Sequence, residues 1–289
     1  MQRRLHPLEG IVAMCALVLV LFLSVGFAQA QDVKKIALRS SSALVQDAAT
    51  GEVVFGKNPE AVVPIASITK LMTAMVILDA GLDLDETVKL SREDAVAMKG
   101  SRSRLRTGLE IARGDLLLLA LMASENRAAA ALGTSYPGGL EAFIDAMNLK
   151  AAAIDMHDSR FVEPTGLSPA NVSTASDLAK LVRAAHEYPL IREFSTKDRG
   201  SIRVTDGRRT RALPYGNTNG LVRSKYWDIE LSKTGYISEA GRCLVMQVRL
   251  NDKDLIVVLL DSWGKHSRIG DANRIRKWLE SGAATGRSS

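Results

Sequence analysis

The sequence predicts an α/β fold of the α+β kind: one antiparallel sheet built from both ends of the chain, flanked by helices, with an all-helical lobe inserted in the middle. Three observations predict it. Strand-like segments cluster early and late in the 289 residues. A long stretch of helical periodicity separates them. No internal repeat or low-complexity linker divides the chain. With 46% hydrophobic and 24% charged residues, such a chain buries a core without metals or disulfides.

Residues 1–30 stand apart from this fold. Arg3 and Arg4 precede an apolar run from Ile11 to Phe27, and Ala28-Gln29-Ala30 is a small-x-small cleavage site. That is the layout of a secretory signal peptide. The expectation is a mature domain of residues 31–282 with no stable membrane anchor after cleavage, and a flexible tail at 283–289. An uncleaved anchor is the alternative, since the apolar run is close to the minimum for a spanning helix.

Within the domain, Ser41 to Phe55 reads as a hairpin turning at Ala48-Ala49-Thr50-Gly51. Ser67 to Ala80 carries Leu71, Met72, Ala74, Met75, Ile77 and Leu78, apolar on most sides, which predicts a buried helix. Asp83 to Tyr188 reads as helical, including Asp115–Ala123 and Gly139–Met156. A helix over Thr174–Glu187 opens with a Thr174/Asp177 capping box and stops before Pro189. Strands return at Ile229–Lys233, Cys243–Leu250 and Leu255–Leu260, the last two joined by a turn at Asn251-Asp252-Lys253-Asp254. A helix at about Asp271–Glu280 closes the domain. The sheet lobe thus takes about 31–82 and 190–282, and the helical lobe about 83–189. A cleft between them is a natural substrate site.

Several functions are excluded. The net charge is +6, and loss of Arg3, Arg4 and Glu9 with the leader takes it to +5. That is too mild for a nucleic-acid footprint, and no basic run with interleaved aromatics exists. Cleavage leaves Cys243 alone in an apolar run, a buried small hydrophobe with no disulfide partner. His157, His186 and His266 have no metal spacing, and there is no Gly-x-Ser-x-Gly elbow. No metal or organic cofactor is expected.

Three short motifs carry the chemistry. In Ser67-Ile68-Thr69-Lys70, a helix starting at Ser67 puts Lys70 one turn later on the same face. A neutral lysine there is a base for the serine hydroxyl, and the helix N-terminus offers backbone N–H groups to an oxyanion. About one Ser-x-x-Lys is expected by chance in a chain this long. A second copy, Ser262-Trp263-Gly264-Lys265, follows a strand and opens no apolar helix, so it belongs to a surface loop. Ser124-Glu125-Asn126 follows an apolar helix, where a hydroxyl and an amide are able to shuttle a proton and grip a substrate amide. Taken alone it is a polar helix end. Lys233-Thr234-Gly235 ends a strand, where Lys and Thr bind a carboxylate and Gly lets a substrate backbone approach.

In this order the three motifs resemble the Ser-x-x-Lys, Ser-x-Asn, Lys-Thr-Gly set of class A β-lactamases and penicillin-binding proteins. The likeness extends to 64–76, 119–130, 161–167, 171–174 and 231–236, and covers roughly Ile36 to Glu280. It is similar to the D-alanyl-D-alanine endopeptidase branch of the serine D,D-peptidases, in which Glu125 in the second motif is at home. The resemblance implies a β-lactamase/D,D-peptidase-like fold and a periplasmic enzyme that cuts D-alanyl-diaminopimelate cross-links in peptidoglycan stem peptides. It implies Ser67 as nucleophile, Lys70 as base, and Ser124 and Asn126 in proton transfer and substrate holding. Lys233 and Thr234 would bind a carboxylate, with Gly235 beside them. Ser67 and Tyr236 N–H groups would hold the oxyanion. The Lys233 charge would keep Lys70 neutral. Water would resolve the acyl-enzyme, and β-lactam antibiotics would acylate the same serine.

The alternatives are a D,D-carboxypeptidase, a β-lactamase, and a non-catalytic peptidoglycan-binding module. The chain leaves no room after Glu280 for the added domain and anchor common in carboxypeptidases. A dead site would lack Ser67, Lys70 or Lys233, and all three are present. Glu163 reads as part of a turn shaped by Pro164 and Gly166 rather than as a deacylating base. Arg268, which follows the last strand of the sheet lobe, reads as a solvated loop arginine, with an auxiliary carboxylate binder as the alternative.

Overall fold

The computed structural model describes residues 36–96, 101–207 and 209–282. The predicted leader and tail lie outside them. Among the described residues no helix is long and apolar enough to cross a membrane.

The predicted hairpin forms as β1 (Ser40–Asp47) and β2 (Val53–Lys57). A short strand β3 (Val63–Pro64) leads into a 3₁₀ turn, Ala66–Ile68, and helix α1 (Thr69–Asp79). Every α1 residue from Thr69 to Ile77 is buried, as the apolar pattern requires. The helix predicted to continue from Asp83 does not form at once. The chain makes β4 (Thr87–Lys89), a short helix α2 (Arg92–Val96) and β5 (Glu110–Ala112), with β5 paired antiparallel to β4. Three-residue strands are too short to show a period.

Helices α3 (Arg113–Met122), α4 (Asn126–Thr134) and α5 (Gly139–Ala153) follow, then β6 (Val172–Ser173) paired with β3, and α6 (Ala175–His186). Thr174 caps α6 by accepting from Asp177 N at 3.0 Å. Asp177 does not close the box; its carboxylate accepts from Asp158 N and Ser159 Oγ instead. Helix α7 (Pro189–Thr196) starts on its proline, where no N–H is needed. The hairpin β7 (Arg199–Asp206) and β8 (Arg209–Gly216) then extends the small sheet to the order β4-β5-β7-β8.

The last third gives β9 (Asp228–Ile237), β10 (Gly241–Leu250), β11 (Lys253–Ser262) and α8 (Ser267–Glu280), which begins about one turn before the predicted Asp271. Asn251 and Asp252 turn β10 into β11 with φ of +52° and +58°, the geometry a two-residue hairpin loop demands. β1 pairs antiparallel with β11, so the ends of the domain close one sheet in the order β2-β1-β11-β10-β9. Alternation gives each face its own core. Leu44, Val245, Ile256 and Val258 join the cluster that holds α1 and α6, while Val45, Leu244, Met246 and Val257 pack with Ala272 and Ile275 of α8. Buried Asp271 ties α8 to β1 by accepting from Ser40 N at 2.7 Å and Ser40 Oγ at 2.6 Å. The edge strand β9 faces the 3₁₀ turn at the head of α1.

Candidate active site

Ser67 sits in that 3₁₀ turn. Ala66 before it holds φ +46°, in the left-handed region that non-glycine residues avoid. Two glycines make room for the turn. A Cβ on Gly166 (φ +79°) would overlap the Ala66 carbonyl and lie 2.7 Å from Ser67 N. A Cβ on Gly235 would lie 2.9 Å from Ile65 O and 3.1 Å from Ser67 N. Gly235 thus admits the chain's own Ile65–Ser67 backbone, which lets β9 pass against the serine turn.

Lys70 is fully buried one turn on. Its Nζ lies 2.8 Å from Ser67 Oγ, 2.7 Å from Asn126 Oδ1 and 2.5 Å from Thr165 O. The amide and carbonyl oxygens only accept, whereas the hydroxyl gives or takes. A neutral amine therefore spends its two N–H bonds on the oxygens of Asn126 and Thr165, and its lone pair faces the Ser67 O–H. Burial pushes the Lys70 pKa down from 10.5 to about 8, against the opposing pull of Glu163 and Glu125. At pH 7 about one molecule in ten then carries a neutral Lys70, against about three in ten thousand for an ordinary lysine. Burial, rather than the expected Lys233 charge, is the main cause. Lys233 is itself pushed well below the ordinary range, by burial first and then by the charges of Lys70 and Arg268.

Ser124 and Asn126 flank the link between α3 and α4. Ser124 holds φ +55° and its Oγ accepts from Lys233 Nζ at 2.8 Å. Glu125 caps α4, its carboxylate accepting from Ala128 N at 2.7 Å, which sets Asn126 as the first residue of that helix. Asn126 Nδ2 donates to Ser101 Oγ at 3.0 Å. Ser124-Glu125-Asn126 is thus a rigid joint between two helices that reaches both lysines.

Thr234 Oγ1 lies 2.6 Å from Thr218 Oγ1. No motif in the sequence marks Thr218. Tyr236 is 57% exposed, with the Arg242 guanidinium 4.5 Å from its ring centroid. Arg268 belongs to α8 and is not a solvated loop residue. Its Nη1 donates to Gly235 O at 2.8 Å and Cys243 O at 3.1 Å, which holds β9 in place beside the serine turn.

The turn at Glu163-Pro164-Thr165-Gly166 forms, and the Glu163 carboxylate closes it. It accepts from Thr165 N (2.7 Å), Thr165 Oγ1 (2.5 Å), Gly166 N (2.6 Å) and Asn171 Nδ2 (2.9 Å). That network fixes the Thr165 carbonyl on Lys70. A cavity of about 660 Å³ opens beside Ser124 and Asn126 and is bordered by Arg102, Arg104, Tyr215 and Gly216. The second Ser-x-x-Lys copy begins on buried Ser262, the last residue of β11, and runs through the loop before α8, where Trp263 is 84% exposed; it opens no apolar helix. His157 is exposed, and His186 pairs with Glu230 at 2.9 Å. Among the described residues no group of three or more His, Cys, Asp or Glu side chains is placed to hold a metal.

An antiparallel sheet, a helical insert and a hydroxyl–amine pair at their junction define a serine-type peptide hydrolase of the Ser-x-x-Lys kind. The chain belongs to the D-alanyl-D-alanine carboxypeptidase family, peptidase family S11, whose profile matches residues 28–264. It is 51% identical over 248 residues to a D-alanyl-D-alanine endopeptidase of Pseudomonas aeruginosa, covering 86% of this chain and 79% of the relative. It is 48% identical over 272 residues to the D-alanyl-D-alanine endopeptidase of Escherichia coli, covering 91% and 87%. The crystal structure of the Streptomyces K15 DD-transpeptidase superposes with a TM-score of 0.80 at 27% identity, covering 86% of this chain and 99% of that one.

Proposed function

We propose that this D,D-peptidase is an endopeptidase that hydrolyses D-alanyl-diaminopimelate cross-links of peptidoglycan through an acyl-enzyme on Ser67. One observation carries the mechanism: the buried Lys70 amine lies 2.8 Å from Ser67 Oγ, with its other two partners acceptors. Ser67 Oγ attacks the D-alanine carbonyl carbon and its proton passes to Lys70. The tetrahedral oxyanion lies at the Ser67 and Tyr236 N–H groups. The C–N bond then breaks, and the leaving amine takes the proton that Lys70 had received, relayed through Ser124, which Lys233 supports; Lys70 is neutral again. Asn126 steadies Lys70 and the substrate amide, and Lys233 with Thr234 binds a carboxylate. Water attacks the ester and gives its proton to Lys70, which returns it to Ser67 Oγ as the ester C–O bond breaks. The endopeptidase names of the Pseudomonas and Escherichia relatives support the choice of bond. The leader-like residues 1–30 support export to the periplasm, and penicillins are expected to acylate Ser67.

The test is a defined cross-linked muropeptide dimer incubated with the mature protein, with products weighed by mass spectrometry. Monomers are expected with native protein and none with Ser67→Ala. Loss of a terminal D-alanine from an intact dimer would make the protein a carboxypeptidase instead.

A second prediction follows from the Glu163 network. Lys70 is faced by Glu163 and Glu125, which raise its pKa, and it lies within electrostatic reach of Lys233. Replacing Glu163 with Gln removes one raising charge, so the rate–pH limb moves to lower pH. The amide also meets N–H donors it cannot accept from with both ends, which costs about 1–3 kcal/mol of stability. Stopped-flow acylation across pH and a melting curve check both parts. An unmoved limb would show that Glu163 acts on the loop alone.

A further inference from the structure

The 660 Å³ cavity beside Ser124 and Asn126 falls in the size range of ligand pockets, yet the reaction described above uses only its inner wall. Its outer wall carries two arginines. Arg104 is held rigidly: its guanidinium lies 3.8 Å from the centroid of the Tyr215 ring, and its Nη2 donates to Pro214 O at 2.5 Å. A guanidinium has five donors, and that carbonyl takes one of them. Arg102 and Arg104 are both exposed, and neither forms an ion pair with a carboxylate among the described residues. The one acidic residue on the wall is Glu125, whose carboxylate is engaged in capping α4. The cavity therefore presents two guanidiniums that no carboxylate of the described residues ion-pairs, within one pocket of the side chains that reach both lysines.

We propose that Arg102 and Arg104 form a subsite for a free side carboxylate of the peptide substrate, on the Ser124–Asn126 side of the cleft. A planar guanidinium matches a carboxylate through paired N–H bonds. Stacking on Tyr215 means that Arg104 loses little freedom when it binds. This subsite is separate from the carboxylate contact assigned to Lys233 and Thr234, so the enzyme reads two anions on its substrate. The inference rests on the D,D-peptidase reading.

The experiment uses the Ser67→Ala protein, which holds substrate without turning it over. Its dissociation constant is measured by calorimetry for a cross-linked stem-peptide dimer with side carboxylates free, and for the same dimer with them amidated. The expected result is that the free dimer binds about tenfold more tightly. Arg102→Gln/Arg104→Gln should erase that difference while leaving the weaker affinity for the amidated dimer where it was. Arg104→Lys, which keeps the charge and loses the fork and the stack, should restore only part of it. Melting curves confirm that each variant is folded. Equal affinity for the two dimers, or a loss in the double variant that is the same for both, would overturn the subsite. Failure of the D,D-peptidase reading shows separately, as a native protein that leaves the dimer uncut.

Discussion

Replacing Lys70 with methionine is expected to slow acylation by on the order of 10²- to 10⁴-fold, the range set by removing a positioned general base. Methionine keeps most of the buried volume, so a folded protein should survive to be measured. The native enzyme should show the matching pH dependence. Lys70 titrates at about 8 because burial disfavours its charge. Below that value the neutral fraction falls tenfold per pH unit, and the acylation rate should fall with it. Above it the rate should level off. Labelled penicillin in a stopped-flow instrument reads both effects. A rate that ignores pH between 6 and 8 would remove Lys70 from the role of base.

Gly166→Ala should be nearly as damaging without touching a chemical group. The new methyl would enter the Ala66 carbonyl and crowd Ser67 N, at a backbone angle of φ +79°. Strain of this kind costs about 1–3 kcal/mol for the backbone conformation alone, and the overlap adds to it. The serine turn must shift, which separates Ser67 Oγ from Lys70 Nζ. We expect a lower melting temperature together with loss of penicillin labelling. Gly81→Ala is the control, since its φ is also positive at +62° but a Cβ there meets nothing within 4 Å. It should cost stability and keep labelling.

Much of this site can be read before any coordinates. Ser67 and Lys70 announce themselves because a helix repeats every 3.6 residues and the helix that follows is apolar all round. Lys233 is legible as a strand residue, but the strand does not end there as the sequence suggests: β9 stays paired to β10 through Lys233-Thr234-Gly235 and runs on to Ile237. What escapes is whatever depends on contact between distant segments. Thr218 has no motif, and meets Thr234 only because the loop after β8 returns to β9. Arg268 looks solvated until α8 folds back and puts it on the Gly235 carbonyl. The β7–β8 hairpin hides for a different reason. Ile202 and Val204 alternate as a strand should, and Asp206-Gly207 is a turn pair, but Arg199, Arg203, Arg209 and Arg211 dominate the stretch. A strand buried on one face leaves a weak period, and charge on the other masks it. The pKa of Lys70 was the least readable quantity, because its main cause is depth and a sequence has none.

The two buried lysines set catalysis against durability. A lysine whose folded pKa lies below 10.5 binds fewer protons in the folded state than in the unfolded chain. For Lys70 the folded state therefore gains stability as pH climbs from about 8 towards 10.5, and bears the full penalty below 8. Lys233, pushed well below the ordinary range by burial and by its charged neighbours, carries a penalty of the same sign. At neutral pH the site is thus a standing electrostatic load, carried by the apolar packing of α1 and the central strands. Variants selected only for heat resistance would tend to discard these ammonium groups first, and with them the reaction.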